Sequence, residues 1–427
     1  MEPKRKNRWP YENNVILITW FIWGFVGLDR FLIANLFPWV LPDLKINFTD
    51  AGLIMAVIAI TWSFSSAIFG NVSDRIGRRK IIIPATIVFS LLSWITGFAR
   101  NLPMLLAIRG LMGVPEGAYM PTAVALVAEE STPTRRGVNI GLFMSAFAIV
   151  GMLFCPIYAT QAAAAWGWRW ALYLTLIPGV ILAALFWRFI REPAGTAERI
   201  KARREAHQKI AASGGHATSE WGKVITNRNV LVCCGQAIFA MGWFYLFLTF
   251  AMLFLTRFRG FHPSDAGVIL SLWGVGGAVG YVGLTWISDQ IGRKLAIIIG
   301  GLGVTISGYC MAYVATGRPG LMTAICFMGF FGMGVFPLTV SVTPFEAVPS
   351  ELGGSAVGLT NLIGEIFGGA ILPAVGGMVA DHVGLQTTML ICALCGLVMC
   401  FWGSLLRETA PKVLARRQGA VKVAVNT

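Results

Sequence analysis

Gly70-Asn-Val-Ser-Asp74-Arg75-Ile-Gly77-Arg78-Arg79-Lys80 is a short polar passage between two long apolar stretches, and a weaker copy follows as Asp289-Gln-Ile-Gly292-Arg293-Lys294. Asp74 and Asp289 stand 215 positions apart, about half of the 427-residue chain. The same interval relates Thr49-Asp50-Ala51-Gly52 to Ser264-Asp265-Ala266-Gly267, and Arg191-Glu192 echoes Arg407-Glu408 at 216. A repeat of this length, with both copies set in gaps between apolar stretches, implies a duplicated chain built of two parallel halves.

The flanking sequence says what the halves are made of. The chain is 56% hydrophobic, its mean hydropathy is +0.70 and only 13% of residues are charged, where a soluble protein carries about 25%. Its surface must face lipid. Crossing a bilayer takes roughly 20 apolar residues per helix. Twelve stretches qualify: 15–38, 50–70, 81–99, 103–128, 137–160 and 169–190, then 230–255, 265–287, 295–315, 320–343, 353–380 and 385–406. The expected fold is an all-α membrane protein with twelve transmembrane helices in two six-helix bundles related by a pseudo-twofold axis. The bundles are assigned to 1–190 and 230–410, with a charged linker at 191–229 and a tail at 411–427.

Lys and Arg set the orientation. With the N-terminus inside, 26 of them fall on the inner side and 6 in the outer loops. This bias places both termini and the linker in the cytoplasm of a multi-pass plasma-membrane protein. The first apolar stretch then serves as an uncleaved insertion signal. The net charge of +14 is thus a topology signal, and no nucleic-acid face follows from it. Cys392-Ala-Leu-Cys395 has metal-like spacing but lies in an apolar stretch without a second pair or a histidine cluster, so no metal or cofactor is expected. No nucleophile–base pair or phosphate loop points to an enzyme. Glycine pairs four apart, Gly113/Gly117, Gly137/Gly141, Gly276/Gly280 and Gly364/Gly368, are expected to let helix backbones approach closely.

In the first polar passage, a carboxylate at a helix end beside arginines can form a latch, and Gly77 allows the tight turn that a short loop requires. The latch set is Gly70, Asp74, Arg75, Gly77 and Arg78, with Arg136 in the next inner gap. Asp289, Gly292 and Arg293 are its weaker counterpart, because Gln290 stands where the first copy has Arg75. In this loop, its copy and the twelve stretches the chain resembles the major facilitator superfamily. That resemblance implies two bundles rocking about a central site, alternately open to either side. It also implies that the latch meets the second bundle around Glu351-Leu-Gly353-Gly354.

Charges inside spanning helices are costly and are functional candidates. The first stretch has Asp29-Arg30, the fourth Arg109 and Glu116, the eleventh Glu365. At 1.5 Å per residue Asp29 lies ~21 Å from the inner edge and Arg109 ~9 Å from the outer, so the two reach similar depth and can pair. Glu116 is two turns beyond Arg109 on the same face, ~10 Å deeper. Asp29-Arg30 and Arg109-Gly-Leu-Met-Gly-Val-Pro-Glu116-Gly look like the anion:cation symporter family. Its helix-1 arginine and helix-4 carboxylate are associated with anion binding and proton coupling.

The residues themselves agree. Arg30 is a permanent cation able to grip a carboxylate with two hydrogen bonds. Glu116, away from water, is suited to carrying a proton. An anion arriving at Arg30 releases a carboxylate from its cation and favours protonation there. The expected substrate-binding residues are Arg30, Arg109, Asn361 and Tyr119; the proton-coupling residues are Asp29, Glu116 and Glu365. Trp20, Trp23, Trp243, Tyr245 and Trp273 are candidate cavity walls. The expected function is proton-coupled symport of a small organic anion such as a sugar acid, an aromatic acid or a dicarboxylate, by a monomer. Alternatives are a proton-linked exporter or antiporter of a drug or metabolite, and a sodium-coupled anion carrier.

Overall fold

The structure, a computed structural model, describes residues 10–132, 134–193, 198, 218–349 and 352–416. Most of the linker, the end of the tail and Glu351 lie outside the described residues. Twelve helices are long and apolar enough to cross a membrane. They are α1 (Tyr11–Leu44), α2 (Phe48–Ile76), α3 (Arg79–Thr96), α4 (Leu102–Glu130), α5 (Arg136–Trp166) and α6 (Trp168–Phe189). The second set is α7 (Arg228–Phe258), α8 (Pro263–Ile291), α9 (Arg293–Val314), α10 (Gly317–Glu346), α11 (Gly353–His382) and α12 (Leu385–Ser404). A short helix, Thr218–Ile225, precedes α7. Among the described residues there is no strand.

Most of the helices outrun the apolar stretches that announce them. An apolar run measures the lipid core, whereas a helix continues until its terminal backbone groups find other partners. The turns are correspondingly short. Gly292 alone separates α8 from α9 and has φ 103°; Gly77, between α2 and α3, has φ 104°. Only glycine takes this conformation cheaply. A Cβ on either would also fall within 3 Å of a carboxylate, that of Glu192 at Gly77 and that of Glu408 at Gly292.

The most apolar windows of α1 and α7 are 78% and 89% buried, against 39–61% for the other ten helices, so these two sit at the centre. Several spans contain wide π turns: Phe147–Phe154 in α5, Leu338–Val342 in α10 and Gly364–Ile371 in α11. Pro156, Pro344 and Pro373 follow shortly after them. A proline lacks the N–H that an α-turn needs and clashes with the carbonyl four residues back, and a wider turn relieves both.

Three of the four glycine pairs lie on tight crossings. A Cβ at Gly113 or Gly117 would strike α2 at Thr61 and at the Trp62 carbonyl. At Gly276 and Gly280 it would strike α10, and at Gly364 and Gly368 it would strike α7. The fourth pair departs from expectation: a Cβ on Gly137 or Gly141 would meet nothing within 4 Å among the described residues, and neither would one on Gly354 or Gly358 at the corresponding end of α11. These four lie at the end of the molecule that carries the Asp74 and Asp289 loops, here termed the basic end.

The opposite, far end is closed. A Cβ on Gly52 of α2 would lie 2.2 Å from the Pro373 carbonyl of α11, and one on Gly267 of α8 would lie 2.6 Å from the Pro156 carbonyl of α5. Gly52 and Gly267 are the glycines of the Thr49/Ser264 echo. Among the described residues the halves therefore touch closely at the far end, while Gly137, Gly141, Gly354 and Gly358 at the basic end face open space.

Candidate functional site

Arg30 leaves α1 near its middle and crosses to the second half. Its Nη2 donates to the Tyr245 hydroxyl of α7 and lies 3.7 Å from Glu365 Oε2 of α11. The Tyr245 hydroxyl donates to the same carboxylate oxygen at 2.8 Å. The guanidinium rests over the rings of Trp62 and Tyr245, 4.9 and 5.3 Å from their centroids. Arg30 and Glu365 are 3% and 4% exposed, so neither charge is left to water and each needs the other. Glu365 sits on the π turn of α11, a type of widened turn frequent at functional sites.

Asp29 turns away from Arg30, into the first half. Its Oδ1 accepts from Ser93 Oγ at 2.6 Å, and Ser93 in turn accepts from Thr175 Oγ1 at 3.0 Å. Asp29 Oδ2 has no hydrogen-bond partner among the described residues. The expected ion pair between Asp29 and Arg109 is not what forms. Arg109 reaches the predicted depth, but its Nη1 donates to the Asp29 main-chain carbonyl at 3.3 Å and its Nη2 to that of Arg30 at 3.5 Å. The reason is geometric: successive α1 side chains diverge by about 100°, and Ser93 claims the Asp29 carboxylate on the α3 side. Arg109 thus braces the backbone that presents Arg30.

Two further expected ligands also serve the scaffold. Tyr119 donates to the Thr19 carbonyl of α1 at 3.0 Å. Asn361 donates to the Val340 carbonyl at 3.0 Å and to Val357 at 2.9 Å. Val340 lies in the π turn of α10, where carbonyls lose their usual partners, so Asn361 is drawn there rather than to Glu365. Glu116 differs from all of these. It is fully buried, and neither carboxylate oxygen has a partner among the described residues. Such an unpaired, water-excluded carboxylate is too costly to keep charged without a purpose.

At the basic end the two loop motifs build the same cage. Arg78 Nη1 meets Asp74 at 2.6 Å and Ser73 Oγ at 2.6 Å, and Nη2 meets Glu129 of α4 at 2.9 Å. Glu192 caps the start of α3, accepting from the main-chain N–H of Arg78 at 2.6 Å and of Arg79 at 3.0 Å. In the second half Arg293 Nη1 meets Asp289 at 2.7 Å and Ser288 Oγ at 2.5 Å, and Nη2 meets Glu346 at 3.0 Å. Glu408 accepts from the main-chain N–H of Arg293 at 2.8 Å and of Lys294 at 3.3 Å.

The expectation of a weaker second copy is therefore corrected. Arg75, the residue that Gln290 replaces, is exposed and stands outside the ring that Arg78 gathers. Gly70 packs on Pro121 of its own half, 3.7 Å from where its Cβ would be. Arg136 is exposed at the start of α5. Of the expected partner stretch, Gly353 packs on Phe345 and Gly354 has nothing within 4 Å, while Glu351 is outside the described residues.

Sequence reasoning missed the far-end counterpart. Asp381 of α11 accepts from the N–H groups of Phe48 and Thr49 at 3.0 and 2.8 Å and from Thr49 Oγ1 at 2.6 Å. A carboxylate of one half thus caps the first turn of α2 in the other, where the helix dipole favours negative charge. Tyr245 was also read only as a wall. The repeat held a signal for it, because Tyr245 follows Arg30 by the repeat interval of 215. The Glu192/Glu408 echo likewise marked both caps before their role was visible.

Residues 19–369 match the Major Facilitator Superfamily. The chain belongs to that superfamily. It is 26% identical to a putative niacin/nicotinamide transporter of Bacillus subtilis, over 84% of this chain and 85% of that protein. It is equally 26% identical to the hexuronate transporter of Bacillus subtilis, over 86% of this chain and 88% of the relative. A 4-hydroxybenzoate transporter of Pseudomonas putida is 24% identical over 90% and 89% of the two chains. Among solved structures, a bacterial homologue of the human lysosomal transporter Spinster, inward-facing and unoccupied, superposes with a TM-score of 0.76 at 16% identity, covering 93% of this chain and 97% of that one. A D-xylose-proton symporter gives 0.73 at 19% identity, over 94% and 99%. The superfamily member described here is thus a multi-pass membrane transporter rather than an enzyme, and its relatives include carriers of organic acids.

Proposed function

We propose that this superfamily member carries a small organic anion together with protons, and that Arg30 is the anion's seat. The observation that carries this reading is the contact of Arg30 with Glu365 and Tyr245 across the two halves. A substrate carboxylate that takes the guanidinium displaces Glu365. The freed carboxylate, buried and without its cation, then accepts a proton. Anion and proton are thereby bound together, and the complex that moves carries less net charge through a low-dielectric path. Glu116 is the second proton carrier, and Asp29, held by Ser93, is the third candidate. Niacin, hexuronate and 4-hydroxybenzoate, named for the relatives, share a carboxylate, which agrees with a cationic seat, whereas nicotinamide, named beside niacin, is a neutral amide.

In this reading the basic end faces the cytoplasm, following the distribution of Lys and Arg, and the state described is inward-open. Alternating access then exchanges the far-end seam of α2 with α11 and α5 with α8 for closure at the basic end. The two cages keep each half rigid while it rocks.

The test is uptake into proteoliposomes with a panel of radiolabelled carboxylates, run with and without an inward pH gradient and in sodium-free buffer. Accumulation above the external concentration that requires the pH gradient and not sodium supports the reading. Uptake indifferent to pH, or driven by sodium alone, overturns proton coupling.

A further inference from the structure

The surroundings of Arg30 are unusual in what they lack. Its guanidinium carbon lies 4.9 Å from the Trp62 ring centroid and 5.3 Å from that of Tyr245, whose hydroxyl accepts from Nη2. Next along α1, Phe31 meets Trp273 edge-on at 5.6 Å and Phe244 at 6.1 Å, and Phe244 lies 5.5 Å from Trp273. Aromatic rings of α2 and α7 therefore meet Arg30 directly, and a cluster of α1, α7 and α8 rings follows at the next position of α1.

The polar groups tell the same story. A polyhydroxylated acid needs an acceptor for each hydroxyl hydrogen, and amide side chains are the usual readers. Asn361 is taken up by two main-chain carbonyls. Asn35 donates to the Phe31 carbonyl at 2.9 Å and faces Cys155 of α5 at 3.9 Å; its unpartnered Oδ1 is five residues and about 140° around α1 from Arg30. Beside the unpartnered carboxylate oxygens of Asp29 and Glu116, the seat itself carries unpartnered donors. Arg30 Nε and the indole N–H of Trp62, on residues 3% and 8% exposed, are buried donors without acceptors among the described residues. Buried donors left unmade are costly and call for an acceptor.

We infer that the seat takes a planar aromatic monocarboxylate. Its carboxylate pairs with Arg30, its ring lies against Trp62 and Tyr245, and a ring heteroatom or ring oxygen accepts from an indole N–H. The guanidinium already lies over the Trp62 ring, so a flat acid paired with it in its plane extends that contact. A saturated, puckered ring would forfeit the ring-face contact with Trp62. This inference rests on the proposal that Arg30 binds an anion.

The experiment uses the purified full-length protein and binding by calorimetry or by quenching of its own tryptophan fluorescence. Five probes separate the outcomes: benzoate, nicotinate, cyclohexanecarboxylate, glucuronate and benzamide. Benzoate and nicotinate are expected to bind on the order of ten-fold tighter than cyclohexanecarboxylate, since ring–ring and ring–guanidinium contacts are lost when the ligand ring is saturated. Trp62→Leu should abolish that preference, while Trp62→Phe, which keeps a ring face, should retain most of it. Cyclohexanecarboxylate or glucuronate binding as tightly as benzoate overturns the aromatic class while leaving the anion seat standing. Benzamide binding as tightly as benzoate, or no carboxylate binding at all, overturns the anion seat itself and the inference with it.

Discussion

Arg30 and Tyr245 occupy the same position in the two halves of a duplicated chain, 215 residues apart, and they touch at the centre of the molecule. The duplication brought two equivalent points of α1 and α7 to the pseudo-twofold axis, where one became a cation and the other a phenol. Glu365 completes the contact from α11. The centre is thus chemically asymmetric although the scaffold around it is repeated.

Arg30→Lys keeps the charge but loses the planar fork. Binding of the transported carboxylate should weaken by roughly ten-fold or more. Arg30→Ala alone leaves Glu365 buried without its cation and should cost the fold ~3–5 kcal/mol. The double variant Arg30→Ala/Glu365→Gln relieves that loss and should fold while still failing to bind. Calorimetry on all three, with thermal unfolding alongside, checks both parts. Unchanged affinity in the double variant would remove Arg30 from the site.

Glu116→Gln imitates the protonated carboxyl. It should bind substrate and exchange it across the bilayer but fail to concentrate it in response to a pH gradient. Counterflow and gradient-driven uptake in the same proteoliposomes distinguish the two activities. Uphill accumulation by Glu116→Gln would move the coupled proton to Glu365 or Asp29.

The two basic-end cages have matching partners and should have matching weight. Arg78→Gln and Arg293→Gln should each lower stability by ~1–2 kcal/mol, since each removes a cation shared by two part-exposed carboxylates. Arg75→Gln should change little. Unfolding midpoints in detergent give the comparison. A second-half loss far smaller than the first would restore the ranking that the sequence suggested.

The far-end seam should be breakable in two ways. Asp381→Asn replaces a charged cap of α2 by a neutral one and should weaken the closure by ~1–2 kcal/mol. Gly52→Val places a side chain where the Pro373 carbonyl already stands, at 2.2 Å from the added Cβ. Both should raise labelling of a single cysteine placed at the far end, and Gly52→Val should also stop the cycle. Labelling equal to that of the parent in both would show that the seam does not hold this state.

Much of the architecture was legible in one dimension. Twelve apolar stretches and a repeated polar loop are local properties, because each helix satisfies its own backbone in lipid. The charges Asp29, Arg30, Arg109, Glu116 and Glu365 were equally visible, since a charge inside an apolar stretch is conspicuous by its cost. Their partners were not. Whether Arg109 meets a carboxylate or a main-chain carbonyl depends on the rotation of α1 against α4, which no spacing within one helix records.

The sequence by itself therefore determined the number of helices, their duplication and which buried groups need an explanation. Only the tertiary structure decided that Arg30 reaches across to Tyr245 and Glu365 and that Arg293 builds as full a cage as Arg78. It alone showed that Asp381 caps a helix of the other half. The physical reason is one of range. Transfer of a helix to lipid is set residue by residue along the chain, whereas a hydrogen bond between helices depends on their relative rotation and depth to within a few tenths of an ångström.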